Sequence, residues 1–477
     1  MKRHFLILAL SLLFLPCMQG KVKLPAAMGN HMVLQQNSCV KLWGWADGKK
    51  VTVTTSWDNR TYQASTDKEG AWLVKVDTPA GSYTPYSITV SDGTPVTLSD
   101  ILIGEVWICS GQSNMEMRLM GNQAQPVDKS LETLLNAGNY RDRIRFITVP
   151  RTNKPERRTD FEGRKWEVAA PETAIECSAA AYFFARQLTE SLHLPIGLVI
   201  NSWGGSRIES WMDTQTLASI EGMDIETVNN PKRDMSQRVS CLYDTMLWPV
   251  KNFTARGFLW YQGESNISNY SFYAPMMTAM VQLWRTVWEA PDMPFYYVQI
   301  APYKYENSHD TGAALLREAQ MKALETIPNS GIVPTTDIGD ELCIHPSQKE
   351  PVGLRLATLA LTKTYGIRRL PSTGPIMSKV DYADDRAVVT FTNAPAGLFP
   401  TFEQLEGFEI AGADKIFYPA KAKIMGRTNK VEVRNEKVPQ PIAVRYAFRN
   451  YAGNTTLRNT FGLSAFPFRT DTWDEVK

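Results

Sequence analysis

Residues 103–117 read IGEVWICSGQSNMEM, and the fold is decided there. Residues 104–109 are a short apolar run of the kind that makes a buried strand. The chain then breaks abruptly into Gly111, Gln112, Ser113 and Asn114. A strand that ends in a glycine turn and presents a single serine is how α/β hydrolytic sites expose a nucleophile. Met115 stands where a G-x-S-x-G elbow carries its last glycine, so taken alone the stretch reads equally well as a strand–turn–helix junction with a polar cap. The surrounding chain separates the two readings.

Downstream, strand patterns alternate with helical ones. AIECSAAAYFFARQLTESL (174–192) has helical periodicity and leads into the strand-like IGLVI (196–200). FTARGFLWY (253–261), FYYVQIAP (295–302) and GIVPTTDIG (331–339) read as further strands. They are followed by the helical patterns at 271–290, 314–328 and 352–366. This alternation predicts an α/β fold, a parallel sheet in a three-layer domain. In such sheets ligands bind at the carboxyl ends of the strands. Ser113, Gly204, Gln262 and Asp337 each lie just past a strand end, so they converge on one edge.

Both flanks are β-rich. VKLWGWA (40–46), KVTVTTSW (50–57), AWLVKVDT (71–78) and YSITVS (86–91) are separated by glycine turns and predict a small β-sandwich over 21–102. After the central unit at 103–372 the helical pattern stops. RAVVTFTN (386–393), FEQLEGFEIAG (402–412), KVEVRN (430–435) and AVRYAFRN (443–450) predict a second β unit over 373–477. Residues 1–20, with Lys2, Arg3 and the apolar run FLILALSLLFL (5–15), read as a cleaved export signal too short to span a bilayer. The expected location is periplasmic or extracellular, with lipid anchoring through Cys17 as the alternative. No later stretch is long and apolar enough for an integral membrane span.

A net charge of +2 and the absence of any Lys/Arg run argue against nucleic acid as a partner. The cysteines are scattered, with no CxxC spacing, so free thiols are expected and no metal site is implied.

The block GEVWICSGQSNMEM, together with INSWGGSRIESWM (200–212), FLWYQGESN (258–266) and IHP (344–346), resembles the sialate O-acetylesterase family within the wider SGNH hydrolases. Order and spacing match across nearly the whole mature chain. The resemblance implies a serine esterase that removes acetyl groups from sugars and needs no cofactor.

A serine nucleophile needs a base. Of the five histidines, His4 lies in the leader, His31 in the N-terminal β region and His193 at a helix end away from the carboxyl edge. His309, beside Asp310, and His345 remain; the resemblance favours His345, which sits where SGNH enzymes carry their base. The triad acid departs from the family pattern. The wider superfamily places Asp three residues before the histidine, where this chain has Leu342, and the family commonly reads DIHP, where this chain has Cys343. Asp337, Asp340 and Glu341 are the nearby carboxylates, and a Ser–His dyad is the alternative. For the oxyanion, Ser113 N–H and Gly205 N–H are candidate donors, with Gln262, or else Asn266, supplying a side-chain amide. Arg207 could pair with a sugar carboxylate or with Glu209, and Trp203 and Tyr261 could stack on a sugar ring.

The expected function is O-deacetylation of carbohydrates, O-acetylated sialic acids first, through an acetyl-enzyme. Acetylated plant polysaccharide such as xylan is the alternative substrate. A non-catalytic glycan-binding protein on a decayed esterase fold is the alternative class, favoured by the missing aspartate alone.

Overall fold

The computed structural model describes residues 22–453 and 455–473. The expected leader at 1–20, with His4 and Cys17, lies outside them.

The central unit runs β1 (Pro95–Gly111), α1 (Ser113–Glu116), β2 (Ile144–Thr148), α2 (Ala179–Leu192), β3 (Ile196–Ser202), β4 (Gly257–Tyr261), α3 (Tyr273–Val287), β5 (Phe295–Val298), α4 (Gly312–Thr326), β6 (Ser330–Val333) and α5 (Lys349–Lys363). The sheet order is β6-β5-β4-β1-β3-β2, with all these neighbours parallel. The short strand Glu167–Val168 closes the β2 edge antiparallel, so the sheet is mixed. From β1 the chain skips one position to β2, returns to fill the gap with β3, and then crosses to the other side, where it works outward through β4, β5 and β6. The carboxyl end of β1 is therefore the switch point where a crevice opens.

Strand alternation explains why this sheet is buried on both faces. Val106, Ile108, Phe258, Trp260, Phe295 and Tyr297 enter one core with Val281 and Trp284 of α3 and Leu316 of α4. Trp107, Cys109, Leu259, Tyr261, Tyr296 and Val298 enter the other with Phe184 and Leu188 of α2 and Val352 and Leu356 of α5. Each large side chain buried this way contributes about 2–3 kcal/mol.

β1 is a single 17-residue strand. Its first half pairs antiparallel with Ser82–Ser91 and parallel with Val33–Gln35, while its second half is the centre of the catalytic sheet. The expected boundary at 102/103 thus falls inside one unbroken strand. The N-terminal β region adds the pair Cys39–Trp45 and Ala71–Asp77 and the antiparallel set built on Lys50–Thr55. The C-terminal region forms two four-stranded antiparallel sheets around Val389, Phe391, Ile410, Val431 and Val444.

Two expected elements are shorter than their sequence patterns. The strand expected to 339 stops at Val333, because Pro334 has no N–H to extend the ladder. The helix expected from 174 begins at Ala179, where the Ser178 hydroxyl caps Ala181 N at 3.2 Å. No described helix is long and apolar enough to cross a membrane.

Candidate active site

The turn after β1 is set by Gly111, whose φ of +142° a side chain would strain and whose Cβ would run into Tyr261 O. Gln112 N then donates to Tyr261 O at 3.0 Å, and α1 starts at Ser113. Ser113 is therefore the first helical residue, and its N–H has no intrahelical acceptor. Gly204, just past β3, packs against the nucleophile so closely that a Cβ there would sit 3.3 Å from Ser113 Cβ.

Ser113 Oγ lies 2.7 Å from His345 Nε2. His309 is elsewhere: its carbonyl accepts from Arg449, and its loop is bonded to Asn450 of the C-terminal region. The partner of His345 Nδ1 is Gln125 Oε1, at 2.8 Å. None of the expected acids reaches the imidazole. Asp337 is ion-paired with Arg355 at 2.6 Å, Asp340 caps Leu342 N and Cys343 N, and Glu341 accepts from Ser308. Each is committed to holding its own loop.

Gln125 is delivered by a tight turn in which Asn122 and Gln125 exchange both backbone hydrogen bonds, at 2.9 and 3.0 Å. Gly121 allows the close approach, with φ of +81°. Asp128 N donates to Ser347 O at 3.0 Å and so docks this loop on the histidine loop. Burial, joined by the charge of Lys349, lowers the His345 pKa to about 4.

Three further expectations are corrected. Gln262 is fully buried and its amide donates to Ser206 O and Asn266 Oδ1 while accepting from Tyr273, so both N–H groups are engaged away from Ser113. Arg207 forks onto Glu209 at 2.7 Å, with side chains 12% and 0% exposed. Burial pushes the Glu209 carboxyl up, but Arg207 and Asn266 outweigh it and hold the group below the usual range. Tyr261 is completely buried and offers no face to a sugar. Trp203 is partly buried, with the Arg151 guanidinium 5.2 Å from its ring centre. Gly205, with φ of +72°, keeps its N–H free of any hydrogen bond among the described residues, whereas Gly204 N–H donates to Glu116 Oε2 at 2.7 Å.

Ser113 opens into a cleft of about 720 Å3 lined by Glu116, Arg118, Arg151, Arg164, Ser202 and Gly204, among others. Arg118 pairs with Glu176 and Arg151 with Glu116, while Arg164 is exposed and pairs with no carboxylate among the described residues. A second lobe of about 520 Å3, lined by Arg151, Trp203, Gly204 and Asp234, adjoins it. Among the described residues no His/Cys/Asp/Glu cluster could hold a metal ion, and Cys39, Cys109, Cys177, Cys241 and Cys343 are free thiols.

The carbohydrate esterase, sialic acid-specific acetylesterase family matches residues 103–362. This chain belongs to that family. It is a carboxylic ester hydrolase. It is 29% identical to the sialate O-acetylesterase of Rattus norvegicus over 413 residues, covering 74% of this chain and 75% of that one. The human sialate O-acetylesterase is 28% identical, over 76% of this chain and 75% of the relative. A crystal structure from Xanthomonas citri, described as a novel carbohydrate acetylesterase, superposes with a TM-score of 0.85 at 32% identity, covering 95% of this chain and all of the other. The reading as a non-catalytic glycan binder is set aside.

Sequence reasoning missed Gln125, because it looked for a carboxylate close to the histidine and this acceptor is neutral and 220 residues away. It also passed over Glu116. That residue sits one helical turn after Ser113 and therefore on the same face, a spacing that could have marked it.

Proposed function

We propose that this esterase removes O-acetyl groups from carbohydrates by a serine mechanism, with O-acetylated sialic acids as its first substrate class. The observation that carries this reading is the 2.7 Å contact between Ser113 Oγ and His345 Nε2 inside an open cleft. Ser113 Oγ attacks the acetyl carbonyl while His345 Nε2 takes its proton. The Nδ1–H of the neutral ring stays on Gln125 Oε1, which fixes the tautomer that leaves Nε2 as acceptor. A neutral amide orients the ring without neutralising the imidazolium. Ser113 N–H and Gly205 N–H receive the developing oxyanion. His345 then returns its proton to the departing sugar hydroxyl, and a water activated by the same ring hydrolyses the acetyl-enzyme.

The guanidinium groups of Arg118, Arg151 and Arg164 around the cleft suit an anionic sugar, and Arg164, which pairs with no carboxylate among the described residues, is the residue assigned to its carboxylate. The two cores on opposite sheet faces support a three-layer catalytic unit. The leader-like residues 1–20 support action outside the cytoplasm.

A second reading, deacetylation of a polysaccharide chain, is favoured by the adjoining lobe beyond Gly204, since a terminal sugar fills one lobe and a chain needs both. Aryl acetate hydrolysis by wild type, Ser113→Ala and His345→Ala tests the chemistry. Loss in both variants supports it, and activity that survives either one contradicts it. Release of acetate from O-acetylated sialic acids against acetylated xylan then separates the two substrates.

A further inference from the structure

Directly behind the Ser113–His345 pair lies a buried cluster drawn from the nucleophile block, the QGES block and the histidine block. Asn114 Nδ2 donates to Glu264 Oε1 at 2.6 Å and to Ile344 O at 3.1 Å. Asn114 follows Ser113 and Ile344 precedes His345, so one amide ties the neighbour of the nucleophile to the neighbour of the base. Lys349 Nζ, on the first residue of α5, donates to Asn114 Oδ1 at 2.6 Å. Lys349 and Asn114 are 0% exposed. Taking an ammonium out of water is costly, and a neutral donor would satisfy Asn114 Oδ1 without that cost. Packing alone gives no reason for a lysine here.

We propose that Lys349 is a positioning residue that keeps the neighbouring imidazole of His345 neutral in the resting enzyme, its buried charge held in place by Asn114 and Glu264. In a site with no carboxylate on Nδ1, nothing draws a proton onto the ring, and a second positive charge beside Lys349 is disfavoured as long as Lys349 is ionised. The groups that face the cluster are few. Lys349 donates to Asn114 of α1 and lies 5.8 Å from the ring centre of Tyr261 on β4, while Glu264 in the loop after β4 and Cys343 in the histidine loop act on it electrostatically. The His345 ring bonds Ser113 and Gln125, its carbonyl accepts from Cys343 Sγ at 3.2 Å, and after burial the Lys349 charge is the second influence on it. Glu264 meets Asn114 and Lys349, and its charge is also felt by Tyr261 and Tyr305. The directions agree with this placement. Burial brings Lys349 down to about 7, opposed by Glu264 and Cys343, and burial raises the Glu264 carboxyl against the pull of Asn114 and Lys349. The neutral ring is the active base, so activity appears as pH rises through the His345 transition.

This inference rests on the Ser113–His345 chemistry above, and the experiment separates the two. The pH dependence of kcat/KM on a neutral aryl acetate is measured for the wild type, Ser113→Ala and Lys349→Met, with circular dichroism and a thermal melt on each. The acid limb of Lys349→Met is expected to move up by about one pH unit, with KM little changed. An unmoved acid limb in folded Lys349→Met would overturn the inference while leaving the serine mechanism intact. Full activity in Ser113→Ala would overturn both. Should Lys349→Met fail to fold, Lys349→Gln, which keeps a neutral donor for Asn114, takes its place in an NMR titration of labelled histidine against the wild type. An imidazole at position 345 that gains its proton at higher pH in the variant supports the inference, and one that titrates as in the wild type overturns it.

Discussion

Two glutamine-bearing loops border this site, and they have exchanged the parts that their sequences suggest. Gln262 belongs to a block, YQGESN, that looks built for catalysis, yet its amide is saturated by Ser206, Asn266 and Tyr273 in the dry interior. Gln125 belongs to a plain turn, GNQAQP, yet it holds the Nδ1 edge of His345. The difference lies in what each amide faces. A buried amide with every hydrogen bond made braces the fold, while one at a cleft rim with a ring nitrogen before it sets a tautomer. Residue type and local pattern do not distinguish these cases, because the partners come from distant parts of the chain.

The sharpest way to test that division is to remove each residue in turn. Ser113→Ala and His345→Ala should each lower kcat/KM on an aryl acetate by about 10^4 or more, because members of such a unit fail together. Gln125→Ala should lower it by about 10–100-fold with the melting temperature unchanged, since the ring loses its orientation and nothing in the core is disturbed. Gln262→Ala should do the reverse. It takes the side-chain donor from buried Ser206 O and one bond each from Asn266 and Tyr273, and should cost about 2–4 kcal/mol of stability, read as a lowered melting temperature, while the enzyme that remains folded keeps most of its activity. If Gln262→Ala abolished turnover without loss of stability, the two loops would have to be reassigned.

Gln125→Glu sharpens the contrast further. A carboxylate at Nδ1 favours the imidazolium and raises the His345 pKa from its burial-depressed value of about 4. The neutral ring is the active form, so the acid limb of kcat/KM should move to higher pH while activity at neutral pH is held or increased. The smallest effect is expected at the exposed rim. Arg164→Ala should raise KM about 2–5-fold for an anionic acetylated sugar, less so at high salt, and leave a neutral aryl acetate untouched.

Much of the fold was legible because alternation is a local property. The order of strands and helices from 174 to 366 follows from runs whose period switches between 2 and 3.6, whereas the strand Ile144–Thr148 was not read. The overextended strand at 331–339 shows the limit: Pro334 was visible, but Ile338 beyond it packs into the core from a loop. Ser113 was proposed from its glycine turn and His345 from the family resemblance, and the structure places their side chains 2.7 Å apart. Tyr261 and Gln262 were misplaced because their burial depends on tertiary packing, and Arg207 takes the Glu209 ion pair that the sequence offered as its alternative. The missing aspartate made the site look incomplete. Its place on the ring is taken by an amide that no spacing rule anchored at the histidine could have reached.

The central claim is that an amide-oriented Ser113–His345 pair performs the hydrolysis. Its most direct test is kcat/KM for an aryl acetate in wild type, Gln125→Ala and Gln125→Glu, with thermal melts alongside. The account predicts active wild type, an Ala variant about 10–100-fold weaker at unchanged stability, and a Glu variant that recovers activity with its acid limb shifted upward. An Ala variant as active as wild type, with the same pH profile, would contradict it.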